Sequence, residues 1–192
     1  AVPGFFIAHF DVGLIVHMPT DMPEPTEPHD FDRMCENFRT MPKATIAVIE
    51  GRAGGGGSEL ALACDMRFAL RGGAVFNQPE VALGIVPGAG GTVRLPRLIG
   101  RSRALEVILG SNDIDADTAE KWGWVNRTLD GDALWPFVDD LVSRIAKFPA
   151  AAVAAAKESV LRADGDLIPD LLRESGAFNR LLANPESQVA RS

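Results

Sequence analysis

The sequence predicts an α/β fold, with a core over residues 1–130 and a helical C-terminal region over residues 131–192. In the core, short β-branched and apolar runs alternate with short segments of helical spacing, which is typical of α/β proteins. After about Asp130, apolar residues recur almost entirely at helical spacing. The 192 residues, of which 46% are hydrophobic and 23% charged, are enough to bury a sizeable core.

A proline-rich stretch in the N-terminal part predicts a loop. Residues 18–30 contain Pro19, Pro23, Pro25 and Pro28 together with four acidic residues. Proline fixes φ and has no N–H, so this density forbids a helix or a central strand. We therefore expect residues 18–30 to form an exposed and mobile loop.

The strands of the core are predicted from short β-branched and apolar runs. Thr45–Ile49 predicts a buried strand, and Met66–Leu70 and Ala74–Phe76 predict two more, on either side of a glycine turn at residues 72–73. Between the first two strands, apolar residues at helical spacing from Leu60 onward predict the start of a short helix.

Four helices are predicted toward the C-terminus. Asp115 and Gly123 suit the N-cap and the C-cap of a short helix. Pro149 and Pro169 each suit the first turn of a later helix, because proline there costs no intrahelical hydrogen bond. The predicted helices lie between 115 and 123 and over 133–147, 149–163 and 166–183.

Composition excludes several classes of partner. The net charge of −7, from 19 basic and 26 acidic residues, argues against nucleic acid or another polyanion. A small phosphorylated ligand held by a few local cations stays compatible with it. The longest apolar run, residues 148–156, is less than half the length that a bilayer requires, so no membrane-crossing segment is predicted.

Cysteine usage and the N-terminus bear on the compartment. Cys35 and Cys64 form neither a CxxC motif nor a disulfide framework, which favours reduced thiols. Residues 1–6 lack the basic region and cleavage pattern of a signal peptide, and they include no initiator methionine, as expected of a fragment. We predict a cytoplasmic location of the bacterial type and leave the mitochondrial matrix open.

Gly54–Gly57 lie where a predicted strand ends and a predicted helix begins. This position argues against a flexible linker, because backbone N–H groups at a helix N-terminus can bind an anion. A P-loop would need Gly-Lys-Ser/Thr where Ser58 and Glu59 stand, and a nucleophile elbow would need glycine at Leu60. No His, Cys and acidic residues cluster for zinc. The remaining anion is a developing oxyanion.

Two carboxylates flank this cluster. Glu59 lies in the first turn of the predicted helix, where stabilisation of the helix dipole is the alternative to a catalytic role. Glu80 lies just past a predicted strand, and a surface acid is the alternative there. Pro87–Thr92 then forms a second glycine-rich turn that leads into a helix. Two such turns and two acids in so short a stretch exceed what a solvated face requires.

These segments resemble a known family. Residues 49–65 (IEGRAGGGGSELALACD) and 76–92 (FNQPEVALGIVPGAGGT) resemble the two central motifs of the enoyl-CoA hydratase/isomerase (crotonase) superfamily. The similarity continues through residues 94–110 and 119–125. Residues 4–11 look like the F-S-A-G-x-D segment of the family, so the resemblance covers most of the chain.

The resemblance implies a fold and a set of site residues. The fold is a spiral of ββα units with a helical C-terminal trimerisation region. Two glutamates are catalytic, two backbone N–H groups form an oxyanion hole, and a further N–H positions a water. In this sequence the catalytic pair is Glu59 and Glu80, the oxyanion hole is Ala8 and Gly56, the water-positioning residue is Gly88, and the substrate-binding residues are Ile7, Ala8, His9, Phe10, Asp11, Gly55 and Gly56.

The implied activity is that of a hydro-lyase of fatty acid metabolism, an enoyl-CoA hydratase that adds water across the 2,3 double bond of a 2-enoyl-CoA thioester. The presence of both Glu59 and Glu80 favours this activity, because isomerases of the family often lack the first acid. The alternatives are an enoyl-CoA delta-isomerase or another acyl-CoA enzyme of this fold, and a non-catalytic acyl-CoA-binding scaffold.

The resemblance also bears on partners. It implies an acyl-CoA substrate and self-association to a homotrimer or homohexamer, with no nucleic acid and no membrane. It implies no cofactor, since coenzyme A enters as part of the substrate, and no metal. The sequence departs from the family at His9 and Phe10, where small residues are usual. Family members also begin with further strands and a helix ahead of this segment.

Overall fold

The computed structural model describes residues 3–7 and 11–191, and it has the predicted α/β core followed by helices. Short strands and helices alternate up to Leu129, and the chain is helical from Gly131 onward. The strands are β1 (Phe5–Ile7), β2 (Ile46–Ile49), β3 (Arg52–Gly54), β4 (Met66–Leu70), β5 (Val75–Asn77), β6 (Ile114–Asp115) and β7 (Arg127–Leu129). The α-helices are α1 (Val12–Val16), α2 (Asp30–Thr40), α3 (Gly56–Ala63), α4 (Gly91–Ile99), α5 (Arg101–Gly110), α6 (Ala116–Trp122), α7 (Gly131–Ala146), α8 (Ala150–Leu161), α9 (Ile168–Ala183) and α10 (Pro185–Arg191), with 3-10 helices at Glu80–Leu83 and Arg162–Asp164.

The strands form two small sheets. One has the order β1-β3-β5-β6, with β1, β3 and β5 parallel and β6 antiparallel to β5. The other has the order β2-β4-β7 and is parallel throughout. From β1 to β5, successive strands therefore alternate between the sheets: β2 and β3 precede α3, and β4 and β5 precede α4. This succession is the predicted repetition of ββα units.

The predicted strands are confirmed to within one residue. β2 starts one residue after the predicted Thr45, β4 has the predicted bounds Met66–Leu70, and β5 lies one residue later than predicted. The turn at residues 72–73 carries the chain from one sheet to the other. Gly72 has φ +70°, a left-handed conformation that favours glycine there.

The C-terminal helices follow the predicted pattern, with small corrections at their starts. α6 lies between the predicted caps: the Asp115 side chain accepts the N–H of Thr118 at 2.7 Å, and Gly123 is left-handed with φ +86°. α7 begins two residues before the predicted start, and α9 begins at Ile168 rather than at residue 166. The prediction that Pro149 lies in the first turn of α8 is wrong, because it is the N-cap residue.

The N-terminal part contains a helix that the sequence analysis did not assign. Residues 18–29 lack regular secondary structure, as predicted, but Asp30 already belongs to α2. The His29 ring Nδ1 accepts the N–H of Asp32 at 3.2 Å and so caps this helix. The proline-rich segment is not uniformly exposed, since Met18 and Met22 pack against a small core around Ile85. The predicted mobility of the segment stays a prediction.

The main core lies between the sheets and helices α3 to α6. It includes the fully buried Phe76 and Trp124, whose ring centroids are 5.4 Å apart. A second cluster, centred on Phe68, Leu134 and Val138, packs α7 onto the sheet of β2, β4 and β7. The predicted apolar stripe of α7 is thus confirmed in its first half, whereas Val142 farther along is 45% exposed.

Candidate active site

Glu59 and Glu80 are brought together by two neighbouring strands. β3 and β5 pair in parallel, with Gly54 opposite Asn77, so both strands end at the same edge of the sheet. Glu59 follows β3 in the first turn of α3, as predicted, and Glu80 follows β5 at the start of a 3-10 helix. They are 3% and 8% exposed, so the reading of Glu80 as a surface acid is wrong.

The first glycine cluster starts α3 earlier than predicted. The helix begins at Gly56, not at Leu60, after Gly55 with φ +49° and ψ −123°. A Cβ on Gly57 would lie 2.0 Å from the carbonyl oxygen of Ile7, so glycine is required where the end of β1 meets this helix. The first N–H groups of a helix have no intrahelical partner. The N–H of Gly56 therefore lies at a helix N-terminus that can bind an oxyanion.

The predicted substrate-binding residues divide into two sets. Ile7 lies at the end of β1 beside Gly57, and Gly55 and Gly56 are buried at the start of α3. The Asp11 carboxylate caps α1 by accepting the N–H of Gly13 at 2.9 Å. The other predicted residues of this set, Ala8, His9 and Phe10, lie outside the described residues, and the predicted role of Ala8 in the oxyanion hole stays a prediction.

The second glycine turn holds Glu59 in place. Glu59 Oε1 accepts the N–H of Ala89 at 2.8 Å and that of Gly91 at 3.0 Å. A Cβ on Gly91 would lie 3.1 Å from that oxygen and 2.9 Å from Nε2 of Gln78, so a larger residue does not fit without movement. The second residue of the turn is Gly88, whose carbonyl oxygen lies 2.8 Å from Nε2 of His29. The predicted water-positioning residue is thus next to the residues that bind Glu59.

A third buried carboxylate, Glu174 of α9, was missed by the sequence analysis. It is 5% exposed, and both of its oxygens accept hydrogen bonds from the second glycine turn, at Gly90 and Thr92. A signal for it exists in the sequence, because Glu174 interrupts the apolar stripe of α9 between Leu171 and Phe178. A charged residue on a buried helix face usually has a specific partner.

The three carboxylates differ in their electrostatic environment. Burial and the charge of Glu59 raise the pKa of Glu80 to about 9, and the same two causes raise the pKa of Glu174 to about 8. Burial also raises the pKa of Glu59, but the N–H groups of Ala89 and Gly91 oppose this by stabilising its charged form. The Oε2 atom of Glu80 has no hydrogen-bond partner among the described residues. The two carboxyl groups of the pair thus differ in their hydrogen bonds: Glu59 accepts two N–H groups that favour its charged form, whereas Glu80 has that one unpaired oxygen and a pKa raised to about 9.

Residues 3–7 and 11–191 contain neither a cluster of metal ligands nor a membrane-crossing helix. In that part of the chain no group of three or more His, Cys, Asp or Glu side chains is arranged to hold a metal ion. None of its helices is both long enough and apolar enough to cross a membrane. Cys35 and Cys64 are both free thiols.

Comparisons with known proteins give a consistent result. The family described as enoyl-CoA hydratase/isomerase matches residues 2–187. The chain is 47% identical over 137 residues to a short-chain-enoyl-CoA hydratase of Clostridioides difficile, covering 71% of this chain and 87% of that protein. It is 44% identical over 118 residues to a protein of Dictyostelium discoideum named "Probable enoyl-CoA hydratase, mitochondrial", covering 62% of this chain and 42% of that protein.

A solved structure gives the same fold. The crystal structure of an enoyl-CoA hydratase from Bacillus halodurans has a TM-score of 0.78 and 28% sequence identity. The match covers 84% of this chain and 64% of that chain. The chain thus spans less than two thirds of two of these three similar proteins. The predicted α/β fold with a helical C-terminal region is confirmed.

Proposed function

The chain belongs to the enoyl-CoA hydratase/isomerase family, and within it we propose an enoyl-CoA hydratase, which adds water across the 2,3 double bond of a 2-enoyl-CoA thioester. The observation that carries the proposal is the pair of buried glutamates at one sheet edge. Glu59 accepts two backbone N–H groups, whereas Glu80 Oε2 has no partner among the residues that the structure describes. Hydration needs one base and one acid, and this pair supplies both.

The oxyanion hole would activate the thioester. The N–H groups of Ala8 and Gly56 bind the thioester oxygen, which becomes negative when a nucleophile adds to C3. Removal of one such donor typically costs about 3–4 kcal/mol of transition-state stabilisation. Ile7, Gly55 and the segment up to Asp11 contribute the adjoining substrate contacts.

The glutamates would carry the proton transfers. The N–H of Gly88 helps to hold a water, and Glu59 takes a proton from it as the water oxygen bonds to C3. The electrons of the double bond move to the thioester oxygen and form an enolate. When the enolate collapses, C2 takes the proton from Glu80. One proton has then passed to Glu59 and one has left Glu80, and transfer of a proton back to Glu80 restores the site.

An isomerase would require fewer catalytic groups than a hydratase. An isomerase moves a proton between two carbons, so one acid suffices and no water is bound. Here Glu59, the acid that isomerases of the family often lack, is buried and accepts two N–H groups, which favours hydration. A non-catalytic scaffold would not require Glu80 to be buried with an elevated pKa.

We further propose the assembly and location of the protein. The boundary near residue 130 divides the spiral core from a helical region that packs subunits into a trimer or hexamer. In support, α8 has no buried residue, and Phe148 before it is 58% exposed. The free thiols of Cys35 and Cys64 support a reducing compartment, the bacterial cytoplasm or the mitochondrial matrix. No cofactor or metal takes part, because coenzyme A enters with the substrate.

The test is the loss of the enone-thioester absorbance of crotonyl-CoA. We expect the chain to consume it, and Glu59→Gln and Glu80→Gln each to lower kcat at least 10²-fold, since a positioned acid or base contributes roughly 10²- to 10⁴-fold. Glu158→Gln, the same change at an exposed ion pair with Arg162, is the matched control and should leave kcat unchanged. Conversion of a 3-enoyl-CoA without hydration of crotonyl-CoA would overturn the proposal in favour of an isomerase.

A further inference from the structure

The second glycine turn is shared by two carboxylates in alternation. The N–H groups of Ala89 and Gly91 point to Glu59, and those of Gly90 and Thr92 point to Glu174. Gly90 is the N-cap residue of α4, so these groups include the first N–H groups of that helix, which have no intrahelical partners. Two carboxyl groups on opposite sides therefore accept hydrogen bonds from one run of backbone donors.

Both side-chain oxygens of Glu174 accept hydrogen bonds from this turn. Its Oε1 accepts the N–H of Thr92 at 2.7 Å and also the Thr92 hydroxyl, and its Oε2 accepts the N–H of Gly90. Because the turn donates three hydrogen bonds to its two oxygens and the residue is only 5% exposed, the side chain is not open to a substrate. Its effect on the position of Glu59 must therefore pass through the turn.

Rotation of the turn couples the two sides. Glycine at positions 90 and 91 permits backbone conformations that a side chain would exclude, so the orientation of the turn depends on its hydrogen bonds. A rotation that moved the N–H of Gly90 off Glu174 would also move the neighbouring N–H groups of Ala89 and Gly91 away from Glu59. Binding of the Gly90 and Thr92 N–H groups by Glu174 therefore fixes the direction of the N–H groups of Ala89 and Gly91.

We propose that Glu174 is a positioning residue for Glu59. It binds the glycine turn at Gly90 and Thr92, and the N–H groups of Ala89 and Gly91 in the same turn then hold the Glu59 carboxylate. This role rests on the proposed hydratase function, because positioning matters through the base that Glu59 supplies. The residue comes from the C-terminal helical region, so α9 completes a site that is otherwise built by the α/β core.

The charge of Glu174 gives a second effect that can be measured. It is one of the causes, after burial and Glu59, that raise the pKa of Glu80. The charged groups around α9 include Glu59 of α3, Asp32 of α2 beside Ser175, and Arg97 of α4, which pairs with Asp170. Among the residues of α9 in the described part of the chain, only Glu174 bonds to the glycine turn. Removal of its charge also lowers the pKa of Glu80, because that charge is one of the causes that raise it.

The test compares Glu174→Gln and Glu174→Asp with the wild type and with Glu186→Gln, an exposed acid on the neighbouring helix. Glutamine has one terminal oxygen that accepts hydrogen bonds, and its Nε2 can only donate, so it cannot bind both sides of the turn as glutamate does. We therefore expect Glu174→Gln to lower kcat roughly 10- to 100-fold with little change in KM. The alkaline limb of the kcat–pH profile should move to lower pH, because a negative charge near Glu80 is removed. Aspartate keeps the charge and should keep the pH profile while lowering kcat. Glu186→Gln should change neither.

Amide hydrogen exchange of residues 88–92 is a readout that does not need activity. Faster exchange in Glu174→Gln, with protection elsewhere retained, supports the proposal. A variant that loses thermal stability but keeps kcat, the pH profile and the exchange of the turn would overturn it. If glutamine prevents folding, the aspartate variant decides: an unchanged kcat would overturn the proposal. A wild-type chain that does not hydrate crotonyl-CoA would instead refute the hydratase function, and the exchange result would still test the anchoring.

Discussion

Replacing Glu80 by glutamine is expected to stabilise the fold while it abolishes hydration. The pKa of Glu80 is raised from an ordinary value of 4.5 to about 9, first by burial and then by the charge of Glu59. At neutral pH the carboxyl is therefore protonated in the folded chain and ionised in the unfolded chain. Each pH unit above 4.5 costs about 1.4 kcal/mol of unfolding free energy until the folded-state pKa is reached, which gives about 3 kcal/mol at pH 7.

The pH dependence identifies this cause. The penalty is absent below pH 4.5 and grows as the pH rises toward 9, because the group has a raised pKa in the folded state. Glutamine has nearly the same shape and no charge, so its advantage should be small at pH 5. At pH 7 it should raise Tm by about 6–12 °C, since about 1 kcal/mol corresponds to roughly 2–4 °C for a chain of this size.

Thermal unfolding followed by circular dichroism at pH 5, 6, 7 and 8 would measure the difference. Glu158→Gln, which removes one exposed charge beside Arg162, should change Tm by no more than about 1–2 °C at every pH. A Tm difference for Glu80→Gln that stays constant with pH, or a variant less stable than the wild type at pH 8, would refute the reasoning.

Three further predictions concern the glycines and the acid. Gly91→Ala places a Cβ 3.1 Å from Glu59 Oε1 and should lower kcat about 10²-fold in steady-state kinetics. An unchanged kcat would mean that Glu59 tolerates displacement. Gly57→Ala places a Cβ 2.0 Å from the Ile7 carbonyl oxygen and should cost about 1–3 kcal/mol of unfolding free energy in urea, with Gly131→Ala, whose Cβ meets nothing closer than 3.7 Å, as the tolerated control. The kcat for hydration should fall above about pH 9 as Glu80 loses its proton, and a rate that rises through pH 10 would contradict its role as an acid.

Local signals predicted the elements that local chemistry determines. Asp115 and Gly123 delimit α6 because a side-chain acceptor and a left-handed glycine satisfy the ends of a helix within a few residues. The bounds Met66–Leu70 of β4 agree with the prediction because a short, mostly apolar run ends one residue before a pair of glycines at 72 and 73. The motif resemblance placed Glu59 and Glu80 as a pair, and the parallel strands β3 and β5 bring them to one edge.

Tertiary contacts decided the features that the sequence analysis missed. α3 starts at Gly56 although glycine is a poor helix former, because β1 approaches too closely for any side chain at Gly57. α2 is capped by His29, which is not a usual N-cap residue and lies at the end of a proline-rich segment. Glu174 bonds to a turn more than eighty residues earlier in the chain. Its charge on the apolar stripe of α9 indicates a buried partner, but a single sequence does not show which residue that partner is.

The most direct test of the central claim is the isotopic composition of the product formed from a 2-enoyl-CoA in H₂¹⁸O. The arrangement of Glu59 and Glu80 predicts a 3-hydroxyacyl-CoA that carries one ¹⁸O at C3, formed by the wild type and suppressed at least 10²-fold by either glutamine variant. A product without ¹⁸O, or one formed equally by the glutamine variants, would contradict hydration by this pair of acids.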